Sequence, residues 1–185
     1  DGKKHTSVLE FGDKNAISAF TFSKMFAIPG YRIGFGVSRN EHIINLVNKD
    51  NYAQTAGVAK PLQIGLTEAL LNIDKREKWF NELRGELQAR RDVLYDGLKD
   101  SFPELKKPEG GLYLWLDFND VLPNTPNKEG ILLENLVKEG VLVVPGSNFG
   151  KMYNGYARAS FSMSTQSQLK EAAERIISVR EKLAA

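Results

Sequence analysis

Residues 17–37, ISAFTFSKMFAIPGYRIGFGV, decide how the rest of this chain is read. The stretch is apolar and glycine-rich, and its only charged residues are Lys24 and Arg32, two cations with no carboxylate between them. That composition predicts an interior segment. Burying two like charges without a counter-charge is costly, so the counter-charge must come from elsewhere. An anionic ligand supplies it: a phosphate suits the planar donor fork of Arg32. A desolvated Lys24 near a second cation has its pKa pushed down, which leaves a neutral amine able to attack a carbonyl. A reactive amine beside a phosphate-binding arginine is what a pyridoxal-phosphate Schiff-base site needs. The competing reading is a turn and strand whose lysine is merely solvated.

Composition narrows the remaining classes. The chain has 185 residues, 42% hydrophobic and 26% charged, which is ordinary for a globular protein with a real core. Lys plus Arg (25) nearly balances Asp plus Glu (23), and the net charge of +2 gives no reason to expect a nucleic-acid partner. The doublets Lys3-Lys4, Arg90-Arg91 and Lys106-Lys107 are too short to form basic tracts. Cysteine is absent, which excludes disulfides and thiolate metal sites and biases the expected location to the cytoplasm. No apolar run approaches membrane-spanning length and no signal-peptide pattern opens the chain, so no membrane partner is expected. The sequence starts at Asp1 on a polar, loop-like stretch without an initiating methionine, and reads as a piece of a longer protein. His5 has no second ligand nearby, and no metal site is expected.

Outward from the opening stretch, residues 17–22 and 33–37 read as short buried strands broken by Pro29-Gly30, of the kind found in sheets covered by helices on both faces. Residues 38–48 read as a helix capped by Ser38 or Asn40, residues 51–59 as a polar linker, and Pro61 as the start of a second helix. Residues 74–102 carry the longest helical pattern, with Trp79, Phe80, Leu83, Leu87, Leu94 and Leu98 at spacings of three, four and seven. Gly85 and Gly97 interrupt it, so one of them is expected to mark a bend or a close approach. A helix of that span runs about 40 Å, long enough to link two domains. Beyond Pro103 the texture changes. Leu112, Leu114, Leu116 and Phe118 alternate with Tyr113, Trp115 and Asp117. Residues 121–130 read as loop, 131–138 as a short helix and 141–144 as a strand. Ala157, Ala159 and Phe161 alternate with Tyr156, Arg158, Ser160 and Ser162, and Thr165 with Gln168 forms a capping box for a last helix. Arg158 is the only charge in the strand YARASFS, on a face shared with small hydroxyls; the alternative to a binding role is an edge arginine reaching solvent.

Thr21-Phe22-Ser23-Lys24 followed by Ile28-Pro29-Gly30-Tyr31-Arg32-Ile33-Gly34 resembles the cofactor-lysine motif of the class I/II aminotransferases, fold-type-I pyridoxal-phosphate enzymes. Thr21 stands where that family more often has serine, and Ala27 where it often has glycine. PEGGLYLWLDF, VVPGSNFG and YARASFS, in that order before an amphipathic helix, are similar to the family's small domain, and Pro61-Leu62-Gln63 is a softer likeness. The resemblance implies an α/β fold that is the C-terminal part of a pyridoxal-phosphate-dependent transferase: residues 1–73 the end of the large cofactor-binding domain and its sheet, 74–102 a long interdomain helix, 103–185 a small α/β domain. It implies Lys24 as the catalytic residue that binds the cofactor, Arg32 and Thr21, with Ser23 weaker, as its phosphate ligands, and Arg158 as the grip on the substrate α-carboxylate. Tyr113, Trp115, Asn148 and Phe149 are looser candidates for the substrate side. Substrates would be an amino acid and a 2-oxo acid, the whole protein a homodimer, and the 185 residues alone inactive. The family's glycine-rich phosphate loop, ring-stacking aromatic and pyridine-pairing aspartate have no counterpart here. A carbon–sulfur lyase or other eliminating enzyme of the same fold, or a non-catalytic sensor domain of a regulator, would carry the same lysine motif.

Overall fold

The computed structural model describes residue 2 and residues 4–185. Asp1 and Lys3, the first residue of the expected large-domain segment and half of the Lys3-Lys4 doublet, lie outside the described residues. The chain divides into two compact units, residues 2–82 and 83–185, and the division falls inside its longest helix.

In residues 2–82, strands β1 (Ile17–Thr21) and β2 (Gly34–Ser38) pair antiparallel, from Ile17 opposite Ser38 to Thr21 opposite Gly34. A side chain at Gly34 would place its Cβ 2.3 Å from the Phe20 carbonyl oxygen, so only glycine permits this pairing. The one-turn helix α1 (Phe22–Met25) follows β1 directly. Helix α2 (Glu41–Thr55) is capped by Asn40, whose side-chain oxygen accepts the His42 and Ile43 amide hydrogens. It runs through half of the expected linker, because Gln54 donates to Asp50 and Thr55 to the Asn51 carbonyl, each one turn back. Ala56 and Gly57, both at positive φ, end it. Helix α3 (Lys60–Leu71) carries Pro61 in its first turn, as expected.

Within the described residues the β1–β2 segment is not enclosed. Phe22, Ser23 and Ile33 are the buried residues of the whole 2–82 unit among those described, whereas Ile17, Phe35 and Val37 are exposed. The hairpin is a two-stranded sheet, and among the described residues this unit supplies helices but no further strand to continue it. Apolar composition marks a segment that can be buried; it does not show that the burying surface lies in the same stretch of chain.

Helix α4 (Ile73–Leu98) starts one residue before and stops four residues before the expected span. Gly97 is its point of close approach, with a Cβ there only 2.8 Å from the Ala173 Cβ, whereas Gly85 has open space around it. In residues 83–185, β3 (Tyr113–Asp117), β4 (Val144–Pro145) and β5 (Tyr156–Ser160) form an antiparallel sheet with β5 in the middle. Leu114, Leu116, Ala157 and Ala159 project from one face onto Leu94 and Leu98 of α4, Leu132 and Leu136 of α5 (Lys128–Lys138), and Leu169, Ala173, Ile176 and Val179 of α6 (Gln166–Ala184). The predicted alternation and the Thr165–Gln168 capping box are both present. The strand expected over 141–144 shrinks to β4. The Gly140 and Val141 amides close off the end of α5 by donating to the Val137 and Leu136 carbonyls, so residues 140–141 complete a helix and do not pair in the sheet. Leu142 is left 84% exposed.

Candidate functional site

The lysine segment is built from its caps. Thr21 leaves β1 in an extended conformation and its hydroxyl oxygen accepts the Ser23 amide hydrogen at 3.2 Å, which nucleates α1. The same hydroxyl donates to Ser23 Oγ at 3.0 Å. Ser23 is buried, and Lys24, the next residue, is exposed and has no hydrogen-bond or ion-pair partner among the described residues. The desolvation expected at Lys24 therefore does not arise within these residues. The chain then reverses through Ala27 at φ 55° and a 3₁₀ turn, Pro29–Tyr31, to Arg32 at φ 53°. Three described non-glycine residues have positive φ, and two of them bracket this reversal, a concentration of backbone strain characteristic of functional segments. The Phe22 amide donates to the Ile33 carbonyl at 3.1 Å, so the lysine turn and the arginine turn are tied at one point, with Phe22 and Ile33 buried on either side of it. Arg32 Nη1 donates to the Pro29 carbonyl at 3.0 Å, and no carboxylate pairs with the guanidinium among the described residues. Phe26, Ile28, Tyr31 and Ile33 face Pro61, Leu62, Leu66 and Ala69 of α3 across an apolar cleft of about 360 Å³. Thr21, Ser23 and Lys24 thus share one helical turn, with Arg32 on the adjoining reversal.

Arg158 belongs to the other unit. On β5 it alternates with the buried Ala157 and Ala159 and so lies on the face away from the core. Trp115 and Val144 are its partners in register on the two flanking strands. Its guanidinium carbon sits 4.1 Å from the Tyr113 ring centre and 4.8 Å from that of Phe149. No carboxylate pairs with it among the described residues, and its Nε is buried without a hydrogen-bond partner. Around it Trp115 meets Phe149 and Tyr153 edge-on, both at 5.4 Å, and stacks on Tyr156 at 5.7 Å. The Tyr156 phenol is held above its ordinary value of 10, chiefly because it donates to the Asp117 carboxylate and is further disfavoured from ionising by that negative charge. Asp117 is itself positioned by the Asn119 amide and side chain.

Tyr113, Trp115 and Phe149, named as looser candidates, do lie on the Arg158 face. Asn148 is on the same turn as Phe149. Sequence reasoning placed Tyr156 on the Arg158 face without naming it as a candidate, and it missed Tyr153 and also Glu129, whose carboxylate holds Ser147 two residues before Phe149. The only signal was the motif VVPGSNFG, which marks the turn but not its tether. Among the described residues no group of three or more His, Cys, Asp or Glu could hold a metal ion, and no helix is long and apolar enough to cross a membrane.

Residues 3–176 match the family model described as aminotransferase class I and II. The chain is 33% identical to the aspartate aminotransferase of Pyrococcus horikoshii over 94% of its own length and 43% of that protein. It is 32% identical to the LL-diaminopimelate aminotransferase of Natranaerobius thermophilus over 87% of its length and 39% of that protein. Among solved structures it superposes on the aromatic aminotransferase from Pyrococcus horikoshii OT3 with a TM-score of 0.85 at 28% identity, covering 98% of this chain and 48% of that one. The Thermus thermophilus aspartate aminotransferase with maleate gives 0.83 at 27% identity, over 96% and 44%. The chain therefore spans less than half the length of the relatives it matches.

Proposed function

We propose that this chain, which belongs to the class I and II aminotransferases, is part of a pyridoxal 5'-phosphate-dependent enzyme that moves an amino group between an amino acid and a 2-oxo acid. The α/β fold it adopts is part of that transferase fold. The observation that carries the activity is the strained reversal that joins the turn of Thr21, Ser23 and Lys24 to Arg32, with the amine and the guanidinium both unpaired by carboxylates among the described residues. The donor set fits a phosphorylated carbonyl cofactor: two hydroxyls and a guanidinium for the phosphate, one amine for the carbonyl. Bound there, the cofactor would act as an electron sink for charge developing at the substrate Cα.

Lys24 Nζ would hold the cofactor between turnovers, and as general base and then general acid it would take the proton from the substrate Cα and deliver it to the carbon that receives the amino group. Thr21 and Arg32 anchor the phosphate, with Ser23 assisting. Arg158 orients the substrate by its α-carboxylate, a planar acceptor matched to a guanidinium and not to an ammonium. Residues 1–73 form the end of the large cofactor-binding domain, 74–102 the interdomain helix and 103–185 the small domain; the position of the compact-unit boundary inside α4 supports a linking role for that helix. Family resemblance supports a homodimer for the whole protein, and the cysteine-free composition supports a cytoplasmic one.

The test uses the full-length protein loaded with cofactor. Borohydride reduction is expected to leave a pyridoxyl group on Lys24 and on no other lysine, read by peptide mapping. With aspartate as the first donor, given the names of the relatives, the expected products are its keto acid and aminated cofactor. Label on another lysine overturns the site, and release of ammonia in place of amino transfer makes the protein an eliminating enzyme of the same fold.

A further inference from the structure

We infer that Phe149, held in place by Glu129 through Ser147, is a positioning residue that fixes the Arg158 guanidinium for its ligand. The inference rests on the reading of Arg158 as the carboxylate grip. Two rings touch the guanidinium, and their supports differ. Tyr113 sits on β3, where the ladder with β5 fixes its backbone. Phe149 sits on the 3₁₀ turn Gly146–Phe149, outside the sheet, and is 45% exposed, so burial alone does not hold it.

What holds that turn is a carboxylate. Glu129, in the first turn of α5, accepts the Ser147 amide hydrogen on Oε1 at 3.0 Å and the Ser147 hydroxyl hydrogen on Oε2. Both oxygens are committed to one residue, and charge-assisted hydrogen bonds of this kind are the stronger sort. Phe149 then reaches the Trp115 ring edge-on at 5.4 Å and the Arg158 guanidinium at 4.8 Å. The chain of contact runs from Glu129 to Ser147, through the turn to Phe149, and on to Arg158.

The consequence for binding follows from the arginine. Its flexible stem carries considerable rotamer freedom, and any ligand that orders it loses affinity accordingly. With Nε enclosed and rings against the guanidinium, that ordering precedes the ligand. The Nη nitrogens are left as the donors for a carboxylate. Loosening Phe149 returns freedom to Arg158 and weakens carboxylate binding without touching the reacting atoms.

The experiment measures KM and kcat for an amino acid and for its decarboxylated amine in the full-length holoenzyme, with melting temperatures alongside. Phe149→Leu is expected to raise KM for the amino acid about three- to tenfold, as loss of a partly desolvated cation–π contact would. The amine KM and both kcat values should hold. Phe149→Tyr keeps the ring and should behave as the parent. Glu129→Ala should shift the amino-acid KM in the same direction by less, and adding it to Phe149→Leu should raise KM no further, because both act on one contact. Arg158→Lys is run in parallel. If it loses the amino acid selectively while Phe149→Leu and Glu129→Ala change both substrates equally or neither, the positioning role is overturned and the carboxylate grip stands. If Arg158→Lys shows no selectivity, the grip falls and the positioning role falls with it.

Discussion

The two compact units have opposite internal economies. Residues 83–185 bury eighteen apolar side chains in one continuous core, from Leu94 and Leu98 through Phe118 and Phe161 to Val179. Residues 2–82 bury two, Phe22 and Ile33, and leave Val8, Phe11, Ile17, Phe35, Tyr52 and Ile64 in the open. Both have helices, a sheet and ordinary caps. Regular secondary structure therefore forms in both, but close packing, which dominates stability, is found in one. The candidate cofactor residues lie in the poorly packed unit and Arg158 in the well-packed one. Lys24 and Arg32 depend on strain and two local ties; Arg158 depends on a ladder and a ring cluster fixed to a core.

The largest test of this contrast is truncation of equivalent side chains. In the 185-residue chain, Leu132→Ala or Ile176→Ala is expected to cost about 2–5 kcal/mol, because each side chain is fully enclosed and the cavity cannot collapse. Ile64→Ala, on the exposed side of α3, is expected to stay within about 0.5 kcal/mol. Urea unfolding of the three variants measures it. A cost at Ile64 comparable to that at Leu132 would break the comparison, since it would reveal a packed surface where the structure has none.

A sharper, smaller test uses two glycines on one helix. Gly97→Ala is expected to destabilise by about 1–3 kcal/mol, since the new methyl group meets the Ala173 Cβ in a packed interface. Gly85→Ala is expected to stabilise by about 1 kcal/mol, since nothing lies near and only the helical preference of alanine acts. The same substitution twelve residues apart should change sign. Equal effects, read from thermal or urea midpoints, would mean that the C-terminal part of α4 does not press on α6 as closely as the structure has it.

Sequence legibility follows the same contrast. In β3 and β5 one face is buried and the other is not, so Leu114, Leu116, Ala157 and Ala159 announced their side by alternation alone, and Arg158 was placed on the outer face correctly. The α6 cap was legible because Thr165 and Gln168 interact over three residues. Residues 17–37 read as interior, and the described residues alone do not enclose them, because apolar composition carries no information on what covers a segment. Helix α2 was cut short because Asp50, Asn51, Gln54 and Thr55 read as linker, yet in a helix they satisfy one another across single turns. The 141–144 strand was misread because helix closure at Gly140 and Val141 used backbone groups that β-branched composition had assigned to a ladder. Thr21, Ser23, Lys24 and Arg32 came from motif spacing, and the structure adds the hydroxyl bond and the positive φ values that spacing could not show. The Glu129–Ser147 tether spans eighteen residues and only the fold brings it together.

The smallest expected effect concerns acid. Four carboxyl groups of residues 83–185 are held below their ordinary range: Asp92, Asp120, Glu134 and Glu139. Asp120 is the most useful of them because its partner is far away in sequence. The Arg180 guanidinium on α6 donates to both its oxygens, and this hydrogen bonding, followed by the attraction of the opposite charge, favours the ionised form. Arg180 is itself fixed, packed 4.7 Å from the Phe102 ring centre. A carboxyl group whose folded pKa lies below its unfolded value contributes stability that is complete above the unfolded value and lost as pH falls through the folded one. The contribution of Asp120 should therefore be constant near neutrality and disappear below about pH 4. The pair is largely exposed on the aspartate side, so solvent screens it and the effect is small. Asp120→Asn keeps the size and one acceptor but removes the charge. Its urea midpoint should lie slightly below that of the parent at pH 7, approach it as pH falls past 4, and approach it at pH 7 when salt is raised to about 1 M. A gap between parent and variant that persists unchanged at pH 3 would show that Asp120 acts through its shape and hydrogen bond and not through its charge.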